Sequence, residues 1–167
     1  MPTPPSDRAA SSLGTSHPGT PAHRTSRLMP CTCQSLRKAA RQVTRLYDGM
    51  LQPSGLRLTQ FSVLAALRLD GAMPLTRLAD LLVVERTTLT RNLKPLERAG
   101  LIETRPDDND GRRRVLAITT DGRAAFRSAL PLWQAAQDAV AGRLGADLQA
   151  RMMADLAVVI RACDRPA

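Results

Sequence analysis

The chain contains three cysteines, Cys31, Cys33 and Cys163, which are its candidates for reactive side chains. Its two histidines, His17 and His23, fall in an N-terminal stretch rich in Pro, Ser and Thr. The rest of the sequence therefore lacks the histidine that a Ser–His or Cys–His catalytic pair needs. It also lacks a glycine-rich phosphate loop, and three cysteines without a fourth ligand make a poor zinc site. We expect a protein that is not an enzyme and that holds no metal and no other cofactor.

Cys33 is the cysteine best suited to redox chemistry. It lies at the N-terminus of a predicted helix, with Arg37 one turn further on and Lys38 beside it, and both the helix dipole and these cations favour the thiolate. A disulfide to Cys31 across one intervening residue is strained, so a cysteine of a second chain is the easier partner. Cys163 alone is more typical of a small buried hydrophobe.

A second group of residues suits binding to a polyanion. Hydroxyl and basic side chains cluster in the first turns of a predicted helix that begins at about Arg86, whereas leucines recur on its other face. Such a helix in a major groove presents these groups to base edges and phosphates. The candidates are Arg86, Thr87, Thr88, Thr90, Arg91 and Lys94. The alternative is an ordinary solvated face.

A turn rich in Asp, Asn and Gly follows, between two β-rich runs at 101–104 and 114–119. Three adjacent arginines end this turn, which is an unfavourable surface unless an anion neutralises it. Asp110, Arg112 and Arg113 are the candidate DNA contacts here. We expect Arg112 to enter the minor groove or grip a phosphate, with its guanidinium oriented by Asp110.

Apolar periodicity predicts the helices that position both groups. One helix spans about 75–82, and the candidate recognition helix runs from about Arg86 to Ala99, where Gly100 ends it. Further amphipathic helices are predicted at 33–51 and from 59 to 69, and two more follow Gly122 around a turn at 144–147. An aromatic content of 2% indicates a core built from Leu, Ala and Val.

The stretch from Pro74 to Gly122 resembles the DNA-binding domain of the MarR family. The family pattern D-x-R, a β-run and L/I-T-x-x-G is matched by Asp110, Arg112, Ile118, Thr119 and Gly122. The resemblance covers roughly residues 33–163. It implies a mainly α fold with a small β-hairpin wing, that is, a winged helix-turn-helix plus a helical dimerisation region.

The expected organisation is a disordered tail at 1–30, a first dimerisation helix at 31–58, the winged helix-turn-helix at 59–122 and C-terminal dimerisation helices at 123–164. We interpret Met29 as the natural start. The resemblance implies a homodimer whose first and last helices interlock, and the alternative is a three-helix pack within one chain. Two recognition helices about 34 Å apart would read a palindromic operator in double-stranded DNA.

The predicted function is a sequence-specific dimeric transcriptional regulator, a repressor released by a thiol oxidant or a small-molecule effector. The net charge of +9 agrees with a polyanionic partner. A membrane surface is the competing anion, but no apolar stretch is long enough to span a bilayer. The N-terminal stretch lacks the apolar core of a secretory signal, so we expect a cytoplasmic protein. The alternatives are an architectural DNA-binding protein and, third, a thiol-redox enzyme.

Two sensing sites are predicted. In the organic-hydroperoxide-sensing branch of the family, a reactive cysteine precedes by fourteen residues a tyrosine that hydrogen-bonds the thiolate, a spacing matched by Cys33 and Tyr47. Two further tyrosines of that branch fall on Arg37 and Leu58 here. Family members also bind aromatic ligands between the dimer helices and the DNA-binding lobe. The candidate lining residues, for which plain core is the alternative, are Met50, Phe61, Leu64 and Trp133.

Overall fold

The structure is a computed structural model that describes residues 31–108 and 110–163. The predicted tail at 1–30, with both histidines and Met29, lies outside the described residues. The helices are α1 Thr32–Leu51, a 3₁₀ turn Gln52–Ser54, α2 Leu58–Leu69, α3 Leu75–Leu81, α4 Arg86–Arg98, α5 Thr120–Leu144 and α6 Ala146–Ala162. Between α4 and α5 lie strands β1 Ile102–Pro106 and β2 Arg114–Ile118. The mainly α fold with a β-hairpin wing is confirmed.

The core of the α2–β2 region forms around α2, which is buried on most of its circumference. Apolar side chains from α3, α4 and both strands close over it, and each fully buried Leu, Ile or Val contributes about 1.5–3 kcal/mol. The largest fully buried side chains are Leu51, Leu64, Leu67, Met73, Leu78, Leu89, Leu96 and Val63. These contacts fix the orientation of α4 relative to the strands.

The start of α2 is set by polar contacts to its free backbone N–H groups. The Leu58 N–H donates to the Asp48 carboxylate of α1 at 2.7 Å, and the Arg57 N–H donates to the Gln60 side chain at 2.8 Å. Gly55, at a φ of 73°, closes the turn between the two helices. A contact from α1 thus fixes the start of α2 against the first helix.

The hairpin is antiparallel, with Ile102 opposite Ile118 and Arg105 opposite Val115. Met73 adds a third backbone segment, because it exchanges two hydrogen bonds with Leu116 at 3.1 and 2.9 Å. Leu116 and Ile118 belong to the main core. Residues 115–118 are all buried, because both faces of β2 are covered.

The long helices leave apolar surface uncovered. Helix α6 contains no buried residue, and α1 buries only Tyr47 and Leu51. The exposed apolar side chains of α6 are Leu148, Met153, Val158 and Ile160, at 47–62% relative exposure. In the part of the chain that the structure describes, no helix has the length and hydropathy to cross a membrane.

Candidate nucleic-acid interface

Helix α4 divides into an apolar and a polar face, as its periodicity predicts. Leu89, Leu93 and Leu96 are buried in the core. All six predicted contact residues lie on the exposed side: Arg86, Thr87, Thr88, Thr90, Arg91 and Lys94. The core therefore holds α4 with its hydroxyl and basic groups facing solvent.

Local bonds shape the polar face of α4. The Thr90 hydroxyl donates to the Arg86 carbonyl at 2.8 Å, so its proton is engaged within the helix. Pro95 lies inside the helix and has no N–H, so the Arg91 carbonyl lacks the usual helical donor four residues on. The helix nonetheless continues to Arg98, and Gly100 follows at a φ of 67°.

Asp110 shapes the wing in a different way from the expected one. Its carboxylate accepts the Arg112 backbone N–H at 3.1 Å and lies 3.4 Å from Nε of Arg113. The Arg113 N–H in turn donates to the Asp110 carbonyl at 2.8 Å. The expectation that Asp110 orients the Arg112 guanidinium is wrong, because the tight turn places the Arg112 backbone, rather than its side chain, against the carboxylate. Arg112 and Arg113 are both exposed.

Two contacts that the sequence reasoning missed stiffen the base of the wing. The guanidinium of Arg105 forms a two-pronged ion pair with Asp108. Its hydrogen bonds and charge lower the pKa of the Asp108 carboxyl. Arg114 donates to the Thr104 carbonyl at 3.0 Å, so the third arginine of the run ties the two strands together. Opposite charges three residues apart in a turn were the available signal for the first of these contacts.

The three cysteines are exposed and lie at helix ends. Cys31 is the residue before α1, Cys33 belongs to its first turn, and Cys163 follows α6. Cys33 and Tyr47 are on the same helix, and fourteen residues at about 1.5 Å each separate them by about 21 Å. The expected Tyr47–Cys33 hydrogen bond therefore cannot form within one chain.

Tyr47 has another partner in the structure. Its hydroxyl donates to Oε1 of Gln137 at 2.5 Å, which joins α1 to α5. The Tyr47 side chain is buried, and this burial raises the pKa of its phenol. Tyr47 is therefore a neutral donor that holds the two long helices together.

The predicted ligand-pocket residues are core in the single chain. Leu64 is fully buried, and the Phe61 ring stacks between Phe126 and Trp133, with centroid distances of 5.2 and 5.6 Å. Met50 is half-buried. Aromatic stacking joins α2 to α5 at these residues. An open groove of about 580 Å³ lies elsewhere, over the outer face of the hairpin and the start of α5, and Arg68, Arg105 and Arg123 are among its lining residues.

Comparison with known proteins places the chain among the members of one family. The MarR family model matches residues 56–113. The multiple antibiotic resistance protein MarR of Salmonella typhimurium is 38% identical over 80 residues, which are 48% of this chain and 56% of that protein. The match thus spans little more than half the length of this curated relative.

Two solved structures are similar over nearly their whole length. The M. tuberculosis transcriptional regulator MosR in complex with DNA is 40% identical, with a TM-score of 0.67 over 81% of this chain and 100% of that one. A mutant of MarR from E. coli complexed with operator DNA is 27% identical, with a TM-score of 0.70 over 77% of this chain and 92% of that one. With its exposed helix α4 and β-hairpin wing, this chain belongs to the MarR family of DNA-binding transcriptional regulators.

Proposed function

We propose that this protein is a homodimeric repressor that binds a palindromic operator, with α4 in the major groove and the wing on the flanking DNA. The observation that carries this proposal is the exposed polar face of α4, on which Arg91, Lys94 and the threonines stand clear of the core. Arg91 contacts a base edge and Lys94 contacts a phosphate. Arg112 enters the minor groove or binds the phosphate that flanks it.

The charge distribution supports this docking. Arg112 and Arg113 lie together at the exposed wing tip, and Arg105 forms an ion pair with Asp108 beside them. Two separate basic prongs, one on α4 and one on the wing, suit two neighbouring stretches of phosphate backbone. The relatives that were crystallised with DNA have the same fold.

The uncovered faces of α1 and α6 support a homodimer. An amphipathic helix such as α6, with Val158 and Ile160 largely exposed in the single chain, needs a second surface to cover its apolar side chains. A three-helix pack within one chain leaves this face open, whereas a second copy covers it. Dimerisation places two α4 helices in one particle, which is the arrangement that a palindrome requires.

The proposed signal is oxidation of the cysteines at the start of α1. Cys31 and Cys33 are exposed within two residues of each other, and Arg37 and Lys38 lie on the next turn. A hydroperoxide would oxidise the Cys33 thiolate to a sulfenic acid and be reduced to an alcohol. A nearby thiol would then displace water from the sulfenic acid and form a disulfide. Cys31 or Cys163 of the second copy would supply that thiol. A polar or covalent change at a dimerisation helix alters how the two lobes are held.

A small-molecule effector is the second candidate for the signal. The groove of about 580 Å³ favours it, because its lining spans the hairpin and the first turn of α5. A ligand in this groove would contact both the DNA-binding lobe and a dimerisation helix. The predicted lining residues Phe61 and Leu64 are not part of it.

Selection of bound duplexes from a random DNA library, followed by footprinting, tests the proposal. We expect one palindromic sequence with protected half-sites about one helical turn apart. Uniform protection without a preferred sequence would instead identify an architectural DNA-binding protein. A reporter gene under the selected operator, with and without the protein, tests repression. Addition of hydroperoxide tests release.

A further inference from the structure

The end of α4 and the start of α5 meet although nineteen residues separate the contacting groups. Thr119, which caps α5, makes this contact with its side chain. Its hydroxyl donates to the Gly100 carbonyl at 2.7 Å and accepts the Gly122 N–H at 3.0 Å. Its backbone N–H donates to the Leu101 carbonyl at 3.1 Å. We call this set, Gly100, Leu101, Thr119 and Gly122, the α4–α5 joint.

The two segments of the joint are tightly packed at Gly122. A β-carbon placed on Gly122 would lie 1.9 Å from the Leu101 carbonyl oxygen and 2.8 Å from Cγ1 of Ile118. The Leu101 N–H also closes the end of α4, because it donates to the Leu96 carbonyl at 2.9 Å. Leu101 therefore closes the end of α4 with its N–H and contacts the start of α5 with its carbonyl.

We propose that Thr119 is a positioning residue that fixes the angle between α5 and α4, and thereby the half-site spacing that the protein accepts. This inference rests on the proposed homodimer, in which α5 belongs to the dimerisation region. The thirteen residues of α4 span about 20 Å, so a rotation of about 10° at the joint moves its far end by roughly 3 Å. This displacement is close to one base-pair step of about 3.4 Å.

Three variants of the full chain separate the hydroxyl from the shape of the side chain. Thr119→Val keeps the branched shape but removes both hydrogen bonds, and Thr119→Ser restores the hydroxyl. Thr120→Val is the matched control, because the neighbouring hydroxyl only accepts a 3.3 Å hydrogen bond from Arg123. Binding is measured on the selected palindrome and on versions with one base pair added to or removed from the spacer.

The measured quantity is the ratio of affinity for the native spacing to affinity for the altered spacings. We expect Thr119→Val to lower this ratio at least five-fold while its binding to non-specific duplex is unchanged, whereas Thr119→Ser and Thr120→Val keep the wild-type ratio. A folded Thr119→Val protein that keeps the wild-type ratio would overturn the inference alone. A wild-type protein that binds all spacings equally would overturn both the inference and the proposed dimeric recognition.

Hydrogen exchange of the wild-type protein tests the joint even if Thr119→Val does not fold. A rigid joint predicts that the Thr119 and Gly122 amides exchange as slowly as core amides of α2. Exchange as fast as that of a fraying helix end would show that the joint opens freely, and would overturn the inference.

Discussion

Gly122 lies directly against the Leu101 carbonyl, so closely that a β-carbon would stand 1.9 Å from its oxygen. Real β-carbons do not approach an oxygen to this distance, so only glycine fits without a shift of the backbone. The L/I-T-x-x-G pattern thus has a physical basis in this chain. The threonine caps α5 and bonds to the preceding turn, and the glycine allows the close approach of the two segments.

Gly122→Ala is expected to destabilise the fold. Since the obstructing atom is backbone, relief requires a movement of α5 or β1, and overpacking of this kind costs about 1–3 kcal/mol. Gly142→Ala is the control, because Gly142 lies in the same helix with nothing within 4 Å of the added carbon. That change should stabilise α5 by about 0.5–1 kcal/mol. Urea unfolding of both variants measures the difference, and equal effects would contradict the close packing.

Val83 adopts a backbone conformation that a β-branched residue avoids. Its φ is 50°, it lies in the turn between α3 and α4, and its side chain is 82% exposed. The left-handed region costs an L-residue about 1–2 kcal/mol, and no buried contact of the exposed side chain offsets this cost. We expect Val83→Gly to raise stability by about 0.5–1 kcal/mol, after the greater flexibility of glycine in the unfolded chain is allowed for.

Val84→Gly provides the comparison, because Val84 packs against the core and its loss should destabilise the protein. Thermal unfolding of the two variants and the wild type measures both changes in stability. A lower melting temperature for Val83→Gly than for the wild type would show that Val83 contributes a contact that outweighs its strain.

Helical periodicity predicted α4 and its faces correctly, because the leucine spacing alone decides which side is buried. The turn at 144–147 and the end of α4 at Gly100 follow from local residue preferences in the same way. The hydrogen bond from Tyr47 to Gln137 was not predictable, since ninety residues separate the two. Met73 was missed because a single bridging residue has no periodicity. For Phe61 the sequence left both a ligand contact and plain core open, because a core aromatic and a pocket aromatic have the same spacing.

Arg91 and Lys94 are expected to have different effects on DNA binding. Both are exposed on α4, with Arg91 nearer its N-terminal half. Loss of a bidentate arginine–guanine contact costs about 1–3 kcal/mol and relaxes preference at one base pair. Loss of a phosphate contact weakens all sequences and lowers the salt slope by about one. The affinities of Arg91→Ala and Lys94→Ala for operator and for random duplex are measured at several salt concentrations. If Arg91→Ala loses the same affinity for both DNAs, Arg91 contacts a phosphate and not a base.

Tyr47 should give a specific alkaline signature. Burial raises its pKa, so the phenol is neutral in both states below pH about 10, and the unfolded chain ionises first as the pH rises. The stability that Tyr47 contributes is thus complete below that pH and is lost above it. Because Tyr47 is the sole tyrosine of the chain, near-ultraviolet phenolate absorbance reports it alone. If the Tyr47 phenol ionises at the same pH in the folded protein and in protein unfolded by urea, burial does not raise its pKa.

Tyr47→Phe removes the hydroxyl and keeps the buried ring. The Gln137 amide oxygen then loses its donor, which costs about 1 kcal/mol at neutral pH. The difference in unfolding free energy between wild type and Tyr47→Phe should shrink as the pH rises above about 10, because only the wild type has the phenol to ionise. A difference that stays constant to higher pH would mean that the phenol titrates equally in both states.

Oxidation at the start of α1 is expected to release the operator through Cys33. A hydroperoxide oxidises the thiolate to a sulfenic acid and is itself reduced to an alcohol, and the added polar oxygen lies on a helix of the proposed dimer seam. Cys33→Ser should bind operator as the wild type does and keep it in hydroperoxide. Cys163→Ser tests whether Cys163 is the disulfide partner of Cys33. If it is, the disulfide-linked dimer formed by the wild type in hydroperoxide would be missing for this variant on non-reducing electrophoresis. If the wild type keeps its operator while mass spectrometry shows Cys33 fully oxidised, the thiol is not the switch, and ligand binding in the groove beside Arg68 and Arg123 becomes the explanation to test.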